Sequence, residues 1–524
     1  MKHDFDVALD PWIPCRAVDG RWRLVSLRDA LREATDIEAI ETSRPLEAIS
    51  IYRILLAAVH GIVGGPRDVK ERQSIYERGS FDHSLVDSYF ERWKDRFGLF
   101  DALHPFLQTP GLSVVDKFGL ESPLPVETVI PDSIINKTLF NHHSDARPLE
   151  LDPAEALRVL LMLQYYGLPG LAKKKVNIGS IGEQYSFFTA PLLPGIATML
   201  SGPNLFETLC LNLVIYNDTE PLAGIDPDSD APAWEREPSF VSGNRQASGY
   251  LDYLVPISRH ARLVPEASGD KTVVRAIHVT QGTAFKHEAL EPMFHKARSK
   301  KDKSLYIPKA SEEKALWRES AALFAFASLA DENPDNHGER PKSFSQFAHL
   351  RSAFKKRHGS MPLGCESFAL LNDKASPLLW RNDRLAFPET ALSDANTART
   401  IGVSIDLADS AGSCVFAAIS AFARTSLGNN PAGSDVSNLR KSTGAEALYW
   451  AALEPPFKLH LASLGGSDEA WRDAIRSAAL DAYSTCIESR SASGTRFYAA
   501  LAAGKQTLES GLAKILPRSK GGEG

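Results

Sequence analysis

Cysteine is scarce in this chain. Five stand among 524 residues, at Cys15, Cys210, Cys365, Cys414 and Cys486. No two have CxxC spacing, which excludes the usual structural zinc site. An odd, scattered set fits a reduced protein in which each thiol packs as a small apolar group. No run of about 18 purely apolar residues occurs, so no membrane span is expected. The first ten residues carry Asp4, Asp6 and Asp10 and no apolar signal core, which makes the cytoplasm the default location. There is no GxxxxGK[ST] loop, no GxGxxG after a strand and no GxSxG elbow. These absences remove the motif-bearing NTPases, dinucleotide enzymes and α/β-hydrolases. His142-His143 with Asp145 makes only half a metal site, and adjacent histidines on a strand face opposite sides. No catalytic residue, metal ligand or cofactor is therefore assigned.

The length calls for two to three domains, and 43% hydrophobic with 24% charged residues is ordinary for a globular chain. The formal charge is −6, but its distribution is uneven. Between Lys271 and Lys309 nine Lys/Arg face three Asp/Glu, and between Lys342 and His358 five face none. Such stretches can meet a phosphate backbone, and a solvated charged loop gives the same signal.

Hydrophobic periodicity organises the rest. Trp22, Leu24 and Val25 follow the Asp19-Gly20 turn as in a hairpin, with Val7-Ala8-Leu9 as a further short strand. Ser26 caps a helix from Leu27, and residues 46–63 read as a buried helix stopped by Gly64-Gly65-Pro66. Asp152 and Pro153 open a helix to Tyr166, ended by Gly167. Residues 250–310 suggest strands, 312–330 a helix, and 360–388 an extended, loop-like segment. From about 391 Ala, Ser and Leu dominate, and helices are expected near 395–427, 443–463, 468–487 and 494–516. The resulting scheme is α+β. A mixed α/β domain spans 1–390, a four-helix bundle 391–516 and a disordered tail 517–524.

Two segments have the composition of a nucleic-acid contact. Lys173-Lys174-Lys175 follows Pro169-Gly170, where glycine permits close backbone approach and consecutive lysines can meet phosphates. Asn372-Asp373-Lys374-Ala375-Ser376 sits in an expected turn, where Asn and Lys can reach base edges. Each is also compatible with a plain surface turn.

The order of several strings resembles the CasA family, the large subunit of the type I-E CRISPR surveillance complex (Cascade). Leu9-Asp10-Pro11-Trp12-Ile13-Pro14 is similar to its N-terminal D-x-W-I-P, and His104-Pro105-Phe106-Leu107-Gln108-Thr109 to its HPF-x-Q-T. Asn136 to Asn141 falls at its first flexible loop, and Leu168-Pro169-Gly170 at its glycine loop. Pro232-Ala233-Trp234 and Asn372 to Ser376 follow in order, and Ala445–Leu464 with Arg496–Leu516 fit its helical bundle.

The resemblance implies a non-catalytic subunit that reads a short motif flanking the target (the PAM) in duplex DNA, starts strand separation, stabilises the R-loop and recruits a helicase-nuclease. Implied partners are the backbone, small and guide-end subunits, the CRISPR RNA and double-stranded target DNA. Gly170, Leu171, Ala172, Lys173 and Lys174 would contact DNA. Asn372, Asp373 and Lys374 would too, Lys374 as the wedge. Leu139, Phe140 and Asn141 would contact the guide end. The chain departs from the family at three points. Lys374 replaces the usual Gln wedge, Ala172 and Lys173 replace further glycines, and the mid-chain cysteine cluster of some members is missing. Lys271 and Lys286 are both candidates for the family's minor-groove lysine. The competing readings are a large subunit of another type I subtype, a metal-dependent nuclease and a purely structural scaffold.

Overall fold

The computed structural model describes residues 5–116, 118–131, 148–170, 175–176, 186–216, 226, 228–285, 291–299, 301–302, 304–311, 315–324, 339–464, 468–490 and 494–517. The chain divides into two compact units. One joins Met1–Glu312 to Asp335–Arg384, and the other joins Glu313–Pro334 to Leu385–Gly524.

The first unit opens with a three-stranded sheet ordered β2-β1-β3, from Ile13–Ala17 (β1), Trp22–Val25 (β2) and Ile37–Ile40 (β3). Gly20 turns the hairpin at φ 84°, as Asp19-Gly20 foretold. The strand expected at Val7-Ala8-Leu9 is instead a turn, because the Asp6 carboxylate accepts the Ala8 (2.8 Å) and Leu9 (3.2 Å) N–H groups. Helix α1 (Pro45–Val63) is buried from Leu46 to His60 and ends on Gly64 at φ 73°. By length and composition α1 could cross a membrane, yet 83% of its most apolar window is buried inside the protein. Helix α2 (Pro153–Tyr166) packs against α1, and the Asp152 side chain caps it through the Glu155 N–H at 2.7 Å.

Seven further strands frame the candidate site. They are β4 (Ala197–Ser201), the hairpin β5 (Arg259–Ser268) and β6 (Lys271–Gln281), and the short pair β7 (Ala297–Arg298) and β8 (Leu305–Tyr306). A long hairpin completes the set, β9 (Leu363–Asp373) and β10 (Ser376–Phe387). Its sheet has the order β10-β9-β4. The sequence marked 360–388 as extended but loop-like. It is a regular ladder whose inner strand is buried from Cys365 to Leu371.

Among the described residues from 388 to 517 no strand occurs. Helices α3 (Ala395–Leu427), α5 (Ala445–Ala462), α6 (Glu469–Tyr483) and α7 (Thr495–Ile515) lie where periodicity placed them, and Gly433–Thr443 adds a further helix, α4. Asp394 caps α3 through the Thr397 N–H at 2.9 Å. Close approach of α3 and α7 depends on Gly511, where an added Cβ would lie 2.8 Å from Cys414 Sγ.

The segment around 312–330 differs from expectation in two ways. Leu316–Phe324 forms 3₁₀ turns, and it belongs to the second unit rather than to a domain spanning 1–390. Trp317, fully buried, stacks on Phe457 at 4.5 Å, and Arg318 pairs with Asp409 at 2.7 Å. Those contacts outweigh proximity in sequence. The expected tail lies outside the described residues beyond Pro517.

Candidate nucleic-acid interface

The chain leaves α2 through Gly167-Leu168-Pro169-Gly170. At Gly167 an added Cβ would stand 2.7 Å from the Leu163 carbonyl and 3.0 Å from Arg259 Nε, so only glycine fits. Arg259, the first residue of β5, is buried and fixes this exit. Its guanidinium donates to the carbonyls of Gly167 (3.0 Å), Leu168 (3.1 Å) and Phe188 (2.6 Å) and lies 5.2 Å from the Phe187 ring centroid. Burial pushes the Arg259 pKa down, to about 9. Gly170 and Phe187 exchange backbone hydrogen bonds of 3.2 and 2.6 Å, and the Phe188 N–H donates to Gln281 Oε1 at 2.7 Å. The glycine turn is therefore held at both ends while its own backbone stays half-buried.

The second element is the β9–β10 tip. Two residues, Lys374 and Ala375, make the loop. Lys374 takes a left-handed conformation at φ 52°, which two-residue hairpin loops require and which costs a non-glycine residue about 1–2 kcal/mol. The Asn372 side chain offsets part of that by donating to the Lys374 carbonyl at 2.7 Å. Asp373, Lys374, Ala375 and Ser376 are exposed.

These elements, some 200 residues apart, meet. An added Cβ on Gly170 would lie 3.7 Å from the Ala375 Cβ. Pro169 and Lys374 line one cleft of about 850 Å³. Beneath the glycine turn a smaller cavity of about 190 Å³ is lined by Tyr166, Leu168, Phe187, Arg259 and Ala375.

Of the residues singled out in the sequence, Gly170, Asn372, Asp373 and Lys374 are brought together here. Leu171, Ala172, Lys173 and Lys174 lie outside the described residues, as do Leu139, Phe140, Asn141, Lys286 and the His142-His143-Asp145 group. Lys271 is exposed at the far end of β6 from Gln281, which supports the glycine turn. Ten strand steps put them about 33 Å apart, so Lys271 does not join this cleft. Among the described residues no group of three His, Cys, Asp or Glu is placed to hold a metal.

The most specific of the family-like strings, His104 to Thr109, serves as scaffold. Phe106 stacks between Phe97 (5.7 Å) and Trp234 (5.6 Å). Gln108 donates to the Leu99 carbonyl and accepts the Leu263 N–H, both at 2.7 Å, and Thr109 Oγ1 meets His260 Nδ1 at 2.8 Å. This string thus pins β5, the strand that carries Arg259. Arg259 and Phe187 went unmarked in the sequence. A lone Arg at the start of a strand gives no sign that its charge turns inward.

Comparison with known proteins agrees with this geometry. The family model described as CRISPR-associated protein Cse1 matches residues 6–482. A CasA/Cse1 protein of Thermus thermophilus is 27% identical over 520 residues, 96% of each chain. A solved structure of Thermus thermophilus CasA superimposes with a TM-score of 0.80 at 25% identity, covering 98% of this chain and 100% of that one. Cse1 of Acidimicrobium ferrooxidans shares the fold at a TM-score of 0.79 and 22% identity, over 98% and 99% of the two chains. So does a chain of a CRISPR RNA-guided surveillance complex, at 0.72 and 21%, over 97% and 100%. The protein class is thus CRISPR-associated. The chain belongs to the Cse1 family, and its mixed helix and sheet content matches that fold.

Proposed function

We propose that this chain is the non-catalytic large subunit of a type I-E Cascade, which reads a flanking motif in duplex DNA and begins strand separation. Family membership supports the assignment, and so does the shared fold with a chain of an RNA-guided surveillance complex. The observation that carries it is the meeting of the Gly170 turn with the Lys374 tip on one cleft.

In this reading the turn approaches the minor groove, whose degenerate edge pattern suits tolerant motif recognition by backbone and small side chains. Lys374 enters beside the motif. Inserting a side chain costs a few kcal/mol of unstacking, offset by backbone contacts and by pairing of the opened strand with the guide. Lysine can lay its methylenes against bases and reach an acceptor with its ammonium, but unlike glutamine it cannot accept a hydrogen bond. Motif choice should therefore lean toward acceptor-rich groove edges.

Partners in this reading are the backbone, small and guide-end subunits, the CRISPR RNA, double-stranded DNA and a recruited helicase-nuclease, all in the cytoplasm. Leu139, Phe140 and Asn141 would meet the guide end, and Lys173 and Lys174 the phosphates. The test is R-loop formation by the assembled complex. Lys374→Ala should slow it on fully paired DNA and spare a target already unwound beside the motif. Equal losses on both would make Lys374 an ordinary backbone contact, and no loss on either would make it a solvated turn.

A further inference from the structure

The cleft at the hairpin tip has another wall, one that the sequence did not mark. It is formed by β8 and the residues after it, with Tyr306, Ile307 and Lys309 lining the same space as Lys374. The wall is firmly seated. Tyr306 pairs with Ala297 across β7–β8, and Gly195 lies so close that an added Cβ would stand 2.5 Å from Ile307 Cγ2. Yet Tyr306 itself is 52% exposed. Lys309 is exposed too, and it has no ion pair among the described residues. Lys296, in the same cleft, is bound to Glu339. The charged residues that line this cleft are Lys296, Lys309 and Lys374 with one acid, Asp373.

An exposed aromatic ring beside free cations is the combination that holds single-stranded nucleic acid. The ring stacks any base, and the cations follow the backbone. A duplex could not use it, because its bases are already stacked on one another. We propose that Tyr306 is a stacking platform for an unpaired base of the DNA strand released at the Lys374 tip, and that Lys309 meets its phosphate. This rests on the duplex-opening role proposed above and assigns it a product-holding surface. Lys374 parts the pair, and Tyr306 keeps one base from returning.

The experiment places 2-aminopurine, in turn, at each of the first positions beside the motif in either strand and follows the assembled complex. In one strand the fluorescence should stay quenched on opening, where an unstacked base would brighten. Tyr306→Ala should abolish that quenching and shorten the opened state about tenfold, the loss expected for one base–aromatic stack. Tyr306→Phe should restore both. Lys309→Ala should reduce the salt dependence of the open state by about 0.7 in the log–log slope. Suppose Lys374→Ala blocks opening while Tyr306→Ala opens and quenches as the native protein does. The platform is then overturned and the motif-reading role survives. If neither substitution changes opening, quenching or the lifetime of the opened state, both fall. A photo-cross-link from position 306 to the guide RNA in place of DNA also overturns the assignment.

Discussion

Gly170 and Ala375 face each other so closely that a methyl group on the first would touch the second, at 3.7 Å. That distance is ordinary van der Waals contact, so Gly170→Ala should change stability by no more than about 0.5 kcal/mol. A larger side chain has no such room, and Gly170→Leu should cost about 1–3 kcal/mol through overpacking. Thermal melts of the two variants, set beside duplex-DNA affinity of the complex, check this. Gly170→Ala should melt like the native protein and bind the duplex more weakly. Undiminished binding would show that the backbone at 170 does not approach the DNA.

The left-handed backbone at Lys374 sets stability against function. Lys374→Gly removes a strain of about 1–2 kcal/mol and adds about 0.5–1 kcal/mol of unfolded-state entropy. The variant should therefore be as stable as the native chain or slightly more so, while opening paired DNA more slowly. Urea denaturation and R-loop kinetics on one preparation measure both sides.

Arg259 should be the most sensitive position under the glycine turn. Replacing it with Met leaves the carbonyls of Gly167, Leu168 and Phe188 without their donor, at about 1–3 kcal/mol for each group that stays dry. Arg259→Lys should recover little, because one ammonium cannot reproduce the planar spread of the guanidinium. Denaturation midpoints would order the series as native, then Lys, then Met.

Acid should destabilise the first unit through buried histidines. Burial lowers the His60 pKa to about 3 and the His295 pKa to about 4. Neither ring has a hydrogen-bond partner among the described residues. The unfolded chain protonates near 6.5 and the folded one does not, so nothing is lost at pH 7. Stability then falls as pH drops from about 6.5 toward 4, by up to about 1.4 kcal/mol per pH unit for each ring. Chemical denaturation at pH 7 and pH 5 tests the slope, and His60→Phe should flatten it by one proton.

In the second unit Trp317→Ala should cost about 3–5 kcal/mol, because the buried indole stacks on Phe457 and lies at 6.0 Å from Trp450. A fragment beginning at residue 385 should show the same loss without any substitution. Addition of a peptide spanning 313–334 should restore its melting temperature.

What the sequence revealed depended on locality. Asp152, Pro153 and Gly167 bracket α2 by capping chemistry acting within one turn, and they could be read directly. The Asp19-Gly20 hairpin and the four long helices of the second unit follow from turn residues and period. Helix α4 escaped because eleven polar-rich residues give too little period. The β9–β10 ladder escaped because its outer strand carries Arg381, Asn382, Asp383 and Arg384, a polar run in which Asn and Asp are poor strand formers. Gly170 and Lys374 could each be marked, but their meeting is tertiary. Nothing near either residue announces the other. Arg259 and Tyr306 fail for opposite reasons, one a charge turned inward and the other an aromatic left out, and composition records neither orientation.

The joining of residues 313–334 and 385–524 in one compact unit has a consequence for synthesis. The ribosome delivers Trp317 long before its stacking partners Trp450 and Phe457. At about 5–20 residues per second, the Leu316–Phe324 segment waits on the order of ten seconds with its indole uncovered. Meanwhile the stretch between, 335–384, is being drawn into the other unit. The nascent chain must therefore carry an unfinished apolar patch past a neighbour that is already closing. A single protease cut could not divide the two units cleanly, since each owns chain on both sides of the other's borders.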